Sequence, residues 1–502
     1  MSTPRAVPAA SDPRRWAVLA VICVTYLMLT LDATVMNLAL PSAQDDLDFS
    51  DADKQWVVTA YALSYGSLLL IGGKLADLLG RRETFLVGLA GFAAASVLGG
   101  AAGSFTVLVI ARAGQGVFAA LLAPTALSLL ATTFTAPKER AKAFGAFSAV
   151  AASGGGVGLL VGGALTTGLN WRWCLYVNLV FIAFCLIVGF RTLQKQPRAK
   201  SRLDVVGVLL VSSGLFCLVY GFSNASTHDW GTPSTWGVLV AGAVLLILFG
   251  LWQPRAQAPV LPPRVVLDRN RGGAYLTMLF AGAGLFGMLL FLIYYLQNSL
   301  GYSALKAGVS LLPTVTLTAV ASTLGNTRLM PRFGPRPLVV AGMLCNAGAM
   351  ALLTRIEPDS AYASTILAPL VLMGLGMGSV FAAALPTGTS AVKPQDSGVA
   401  SATINAGQQL GGAMGTALLN TIAAGATTDY LSSHRTARPD PALFEQAAVH
   451  GYSQVFWWCT GICALGAVIA GALLRSGPLP VPAWAAKDKP AAPEQETATA
   501  HS

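Results

Sequence analysis

Residues 16–40 read WAVLAVICVTYLMLTLDATVMNLAL, with one charged side chain, Asp32. A run this long and apolar is a membrane-crossing helix, because the hydrocarbon core of a bilayer takes about 20 apolar residues to span. A carboxylate at membrane depth costs roughly 2.5–3.5 kcal/mol on insertion scales, and residues that carry such a cost usually mark an ion or substrate path. Asp32 is therefore read as a group that takes up and releases a proton. The alternative is a hydrogen-bonding residue that only pins the first helix.

The rest of the chain repeats this pattern. Of 502 residues, 54% are hydrophobic and 11% charged, and the mean hydropathy is +0.62. Soluble domains carry about 25% charged residues, so an ordinary water-soluble fold is excluded. Apolar runs fall at 16–40, 54–72, 84–103, 105–130, 143–168, 173–190, 204–222, 235–252, 273–297, 304–325, 337–355, 363–386, 398–424 and 453–475. Periodicity alone would also allow twelve or thirteen spans. The expected fold is an all-α membrane protein with 14 transmembrane helices. Six spans precede and six follow a lone pair, which sits between two basic linkers. The expected organisation is a polar tail (1–13), a six-helix bundle (14–190), a linker with the inserted helix pair (191–272), a second six-helix bundle (273–475) and a disordered tail (476–502).

The net charge of +10 is explained by topology. With the N-terminus in the cytoplasm, twenty-five of the 32 Lys and Arg lie in cytoplasmic segments, six in outer loops, and Arg112 inside a span. This positive-inside bias places both termini in the cytoplasm and leaves no case for nucleic acid. Arg14 and Arg15 flank a first span without a small-residue cleavage site, so that span reads as an anchor rather than a signal peptide. The seven Cys lie in or beside spans with no C-x-x-C pair, and the four His form no metal cluster. Gly282, Gly284 and Gly287 spell G-x-G-x-x-G, but inside an apolar span with no strand before it, which argues against a dinucleotide site. No enzyme, metal or cofactor is expected.

Residues 73–82, GKLADLLGRR, follow the second span. They read as an inner loop in which Gly73 and Gly80 allow a tight turn. Asp77 can meet Arg81 or face the positive N-terminus of a neighbouring helix, with Arg82 beside it. Such a charge pair across a moving interface holds one conformation; the alternative is a fixed loop ion pair with positive-inside anchoring. In the fifth span, GGGVGLLVGG (154–163) sets Gly154, Gly158 and Gly162 on one face, with Gly163 closing the motif. Small faces of this kind let helices approach closely. Gly407, Gly411 and Gly415 form a matching face in the thirteenth span.

Taken together, these motifs resemble the fourteen-helix drug:proton antiporters (the QacA and EmrB type) of the major facilitator superfamily, over about residues 14–475. The resemblance is carried by LDATVMNLALP (31–41), QWVVTAY (55–61), Gly73 to Arg82, ARAGQG (111–116) and YYLQNSLGYSALKAGVSLLP (294–313). It implies that Arg112 joins Asp32 in proton coupling. Leu159 stands where the antiporter glycine motif has Pro, so the fifth helix is expected to be straighter, and in the sixth span Val180 replaces the Pro common after the WRW…N turn. The implied function is proton-coupled efflux of a drug or antibiotic at the bacterial cytoplasmic membrane by a monomer, driven by the proton gradient. The partners are a small molecule, protons and the lipid bilayer. Candidates for the substrate wall are Tyr26, Met36, Asn37, Trp56, Tyr61, Tyr294 and Gln297. As drawn, the spans leave Asp32 as the one acid open both to protons and to a cationic substrate, so bulky apolar compounds, neutral or monocationic, are expected. The alternatives are export of an endogenous natural product or other metabolite, and a non-transporting membrane sensor.

Overall fold

The computed structural model describes residues 14–49, 51–195, 203–225, 232–393, 396–434 and 441–477. Residues 1–13 and 478–502, assigned above to polar tails, lie outside the described residues. Among the described residues every regular element is helical, as lipid demands, because a helix satisfies its backbone groups within one segment.

The first eight helices are α1 (Arg14–Leu47), α2 (Asp51–Leu79), α3 (Arg81–Gly100), α4 (Phe105–Thr133), α5 (Pro137–Gly168), α6 (Trp173–Thr192), α7 (Val205–Ala225) and α8 (Pro233–Trp252). A short turn of helix at Pro263–Val266 leads into α9 (Arg269–Tyr294), which ends in a π turn at Tyr295–Ser299. Then come α10 (Leu312–Leu324), α11 (Pro335–Leu353), α12 (Leu367–Gly388), α13 (Ser397–Ser433) and α14 (Pro441–Leu473). Ala304–Ser310 precedes α10, and a π turn at Gly325–Leu329 with Met330–Phe333 follows it. Thirteen of these spans are long and apolar enough to cross a membrane. The other is α13, whose sequence SGVASATINAGQQLGGAMG is too rich in small and polar residues; most of its first turns are buried in protein.

The end of the second helix corrects the sequence reading. Helix α2 runs on to Leu79, so Gly73 and Asp77 lie on its last turns rather than in a loop. The turn is Gly80 alone, at φ 103, a region that glycine enters without steric cost.

Both sets of six helices pack by one scheme. In the first, α1 lies on α5 and α6, α2 on α4, and α3 on α4 and α6. In the second, α9 lies on α13 and α14, α10 on α12, and α11 on α12 and α14. The bundles meet crosswise, α2 against α13 and α10 against α5. The inserted α7 and α8 pack on each other, and α7 touches α2 and α13. Val240, Val244, Ile247 and Leu251 of α8 remain exposed, an apolar face suited to lipid.

The glycine faces explain the α1–α5 and α9–α13 pairings. A Cβ on Gly154 would stand 1.7 Å from Thr30 Oγ1, and one on Gly158 1.9 Å from Thr34 Oγ1. On α13, a Cβ on Gly411 would stand 1.9 Å from the Leu279 carbonyl oxygen. Gly162 is buried. Gly163 differs from the expectation, because a Cβ there would meet no atom within 4 Å. The G-x-G-x-x-G of α9 is a packing face too: Gly282 meets Gln408, Gly284 meets Cys463 and Gly287 meets Leu419.

Candidate functional site

Asp32 lies in the middle of α1, 1% exposed. Its Oδ2 accepts from Arg112 Nη1 at 2.7 Å. Its Oδ1 accepts from Gln115 Nε2 at 2.9 Å and from Asn178 Nδ2 at 2.6 Å. Arg112, also 1% exposed, donates from Nη1 to Gln115 Oε1 at 2.8 Å and from Nε to the Val57 carbonyl at 3.2 Å. Its guanidinium sits 4.5 Å from the centre of the Tyr61 ring. Gln115 Nε2 also donates to Ser96 Oγ at 3.0 Å. The cluster joins α1, α2, α3, α4 and α6. Arg112 and Gln115 are three apart on α4 and so share a face.

A buried ion pair is tolerable only when its geometry is good and its remaining lone pairs and protons are satisfied. Here the carboxylate takes three donors. If a proton neutralised Asp32, Arg112 would keep Gln115, Val57 and the Tyr61 ring as partners. The arrangement can hold a carboxyl group in either charge state inside a protein. Both Asp32 oxygens already take protein donors, so a cationic substrate would have to compete with them for the carboxylate.

A second polar site closes the end of the molecule that carries Arg15 and the last turn of α14. Arg81 Nη2 donates to Asp77 Oδ1 at 3.0 Å, and the Gly398 backbone N–H reaches both Asp77 oxygens, at 3.2 and 3.1 Å. Gly398 opens α13, so Asp77 faces the positive end of that helix dipole. The crossing is tight, since a Cβ on Gly73 would stand 2.5 Å from the Gly398 carbonyl oxygen. Ser128 Oγ donates to Ser397 Oγ at 2.9 Å, and Arg140 Nη2 to Thr389 Oγ1 at 3.3 Å. The linker after α8 adds a strap. Lys74 of α2 donates to the Pro259 carbonyl at 3.1 Å, and Arg264 holds Asp396 through Nε and Nη2 at 3.0–3.1 Å. Arg82 turns elsewhere, to the Phe190 carbonyl of α6 at 3.5 Å, within its own bundle.

The six wall candidates with described side chains do not form one surface. Tyr26 reaches across the seam between bundles, its OH donating to Asn405 Oδ1 at 3.1 Å while its ring packs edge-on against Phe147. Tyr61 is buried on Arg112, and Met36 is buried in a cluster with Val57 and Leu175. Trp56 lies against Tyr220 of the inserted α7. Tyr294 is 41% exposed beside Phe291, and Gln297 is on the π turn that ends α9. The side chain of Asn37 lies outside the described residues. A cleft of about 300 Å3 lined by Ser42, Asp46, Thr166 and Arg172 contains none of the seven.

The sequence reading missed Gln115, Asn178 and Ser96 around Asp32, and Asn405 opposite Tyr26. The available signal was a polar side chain in an apolar span at helical spacing from a charge, as Gln115 stands to Arg112.

Two pseudo-equivalent bundles, a buried ion pair in one, and a polar crossing that closes one end define a membrane transporter built from two repeated helix bundles. The Major Facilitator Superfamily profile matches residues 22–416, and the chain belongs to that family. The puromycin resistance protein pur8 of Streptomyces alboniger is 48% identical over 469 residues, 93% of this chain and 92% of its own. The cephamycin export protein CmcT of Amycolatopsis lactamdurans is 38% identical over 417 residues, 82% and 85% of the two chains. The tetracenomycin C resistance and export protein of Streptomyces glaucescens is 34% identical over 418 residues, 83% and 77%. Among solved structures, the human organic anion transporter MFSD10 superposes with a TM-score of 0.61 at 16% identity, covering 91% of this chain and all of its own. The proton:xylose symporter XylE also gives 0.61, at 15% identity and 93% and 97% coverage. These two likenesses concern the fold. The chain is a transporter of the antibiotic resistance and export group, not an enzyme.

Proposed function

We propose that this chain expels a bulky, apolar antibiotic across the bacterial cytoplasmic membrane in exchange for protons. The observation that carries the reading is the Asp32–Arg112 pair, buried at mid-helix and hydrogen-bonded to Gln115, Asn178 and the Val57 carbonyl. In the cycle, Asp32 loses its proton while the site faces the cytoplasm, and substrate binds between the bundles. The bundles rock, and protonation of Asp32 from outside favours release. Both termini face the cytoplasm, so the Asp77–Gly398 crossing is the inner gate, closed in the state described here. The transporter works as a monomer, since one chain supplies both bundles, and the proton gradient is its energy source.

The test is Asp32→Asn, which keeps the shape and removes the titratable proton. Efflux against a gradient in vesicles should be lost while membrane abundance is kept. Full uphill efflux by this variant would overturn the proton-carrier role. A second reading, export of an endogenous natural product, is favoured by relatives named for export of a compound, such as the cephamycin export protein. It predicts that a deletion strain retains a product inside the cell as well as losing resistance.

A further inference from the structure

We propose that Asn178 is the partner that reads the protonation state of Asp32, reversing its side-chain amide when the carboxylate takes up its proton. The inference rests on the proton-coupled reading above.

The three donors around Asp32 suit an ionised carboxylate, which only accepts. A protonated carboxyl has an O–H to place, and burying it without an acceptor costs more than the bond is worth when made. Arg112 cannot accept, because a guanidinium has donors only. Gln115 is locked. Its Oε1 accepts from Arg112 while its Nε2 serves Asp32 and Ser96, so turning it would set an N–H against the Arg112 N–H.

Asn178 is different. Its Nδ2 donates to Asp32 Oδ1 at 2.6 Å, but its own Oδ1 is buried with no hydrogen-bond partner among the described residues. The residue is 0% exposed, on α6. A half-turn about the terminal torsion exchanges two groups of nearly equal size. Oδ1 then accepts a hydrogen bond from the O–H that Asp32 Oδ1 has gained, and Nδ2 takes the unpartnered side. One end of the amide is bonded to Asp32 in either state, so the carboxyl is matched in both charge states without moving a helix, and the amide atom left without a partner changes from the oxygen to the nitrogen. The titratable neighbours of the carboxyl are Arg112 from α4, the Tyr61 phenol from α2 and the Cys174 thiol from α6. On the α5 side, the face against Leu31 and Thr34 is glycine, Gly158.

The test is infrared difference spectroscopy of the full chain in lipid vesicles between low and high pH. A carboxyl C=O band absent from Asp32→Asn reports proton uptake by Asp32. In the wild type this band should lie at the lower frequency of a carboxyl whose O–H is donated. Asn178→Val should move it to higher frequency, and Asn178→Thr, which keeps an acceptor, should leave it near the wild-type position. In unmutated protein, 13C-labelled asparagine should shift an amide C=O feature in the same difference spectrum, so the idea stands or falls even where a variant does not fold. An unchanged carboxyl frequency in Asn178→Val, or no asparagine feature in the labelled wild type, would overturn the role of Asn178 while leaving Asp32 as the proton carrier. If no titrating band depends on Asp32, the proton-coupled reading itself is wrong.

Discussion

The Asp77 carboxylate of the first bundle accepts the Gly398 backbone N–H of the second at 3.1 Å while holding Arg81 at 3.0 Å. One acid thus ties its own helix turn to the start of α13. Because the partner across the seam is a helix N-terminus rather than a side chain, the contact is made only when α2 and α13 cross at their glycines, Gly73 and Gly398. Opening that end would break it.

Asp77→Asn should therefore weaken the closed state without unfolding either bundle. A charge at a partly buried helix terminus contributes up to about 2 kcal/mol, and each 1.4 kcal/mol is about tenfold in population. The expected result is an efflux rate reduced roughly tenfold, at normal membrane abundance and with substrate binding in detergent largely kept. Normal transport with lowered abundance would make the crossing merely structural.

Around Asp32, Gln115 and Ser96 should separate cleanly. Gln115→Leu removes a donor to the carboxylate and an acceptor from Arg112, and hydrogen bonds to charged groups contribute about 1.5–3 kcal/mol each. Ser96→Ala removes one neutral contact worth about 1 kcal/mol. Thermal unfolding in detergent should show a large loss for Gln115→Leu and a small one for Ser96→Ala. Equal losses would mean that Gln115 contributes packing alone.

The fold was legible in the sequence because a bilayer leaves few options: long apolar runs must be helices, and Lys and Arg placement divides them. Helix ends were less legible. Gly73 looked like a turn residue but serves the close approach to Gly398, since glycine has the same letter in both roles. The Asp32–Arg112 pair could be named from two buried charges. Its other members could not, because Gln115, Asn178 and Ser96 are uncharged and such residues also stand alone in spans. The wall candidates are scattered for a related reason. Aromatic residues fill cores, contacts between helices and lipid faces alike, and only three-dimensional packing separates Tyr26 at the seam from Trp56 on α7.

The glycine faces allow a paired test. At Gly411 a Cβ would overlap the Leu279 carbonyl, a backbone atom that cannot move without shifting α9. Gly411→Ala should strongly reduce folded protein in the membrane. At Gly163 there is open space for the same methyl, and alanine gains about 0.5–1 kcal/mol over glycine in a helix. Gly163→Ala should be neutral or slightly stabilising in size-exclusion and melting assays. A severe effect at Gly163 would show that its role is not captured by side-chain space.

Substrate charge follows from the acids. Among the described residues the buried carboxylates are Asp32, Asp77 and Asp396. Each already faces an arginine: Arg112, Arg81 and Arg264. Asp77 and Asp396 also belong to the closed end rather than to the seam at Tyr26 and Asn405. A cationic drug between the bundles therefore finds no unpaired acid, and seating even one charge requires competing with Arg112 for Asp32. A second positive charge would be left without a partner in a low-dielectric site, at a cost of several kcal/mol. Neutral and monocationic apolar compounds should be exported, and matched dications poorly or not at all. Growth protection by the transporter in a strain lacking other pumps measures this directly. Equal protection against monocationic and dicationic members of one series would mean that an acid outside the described residues reaches the site, or that one of the three arginines yields its partner.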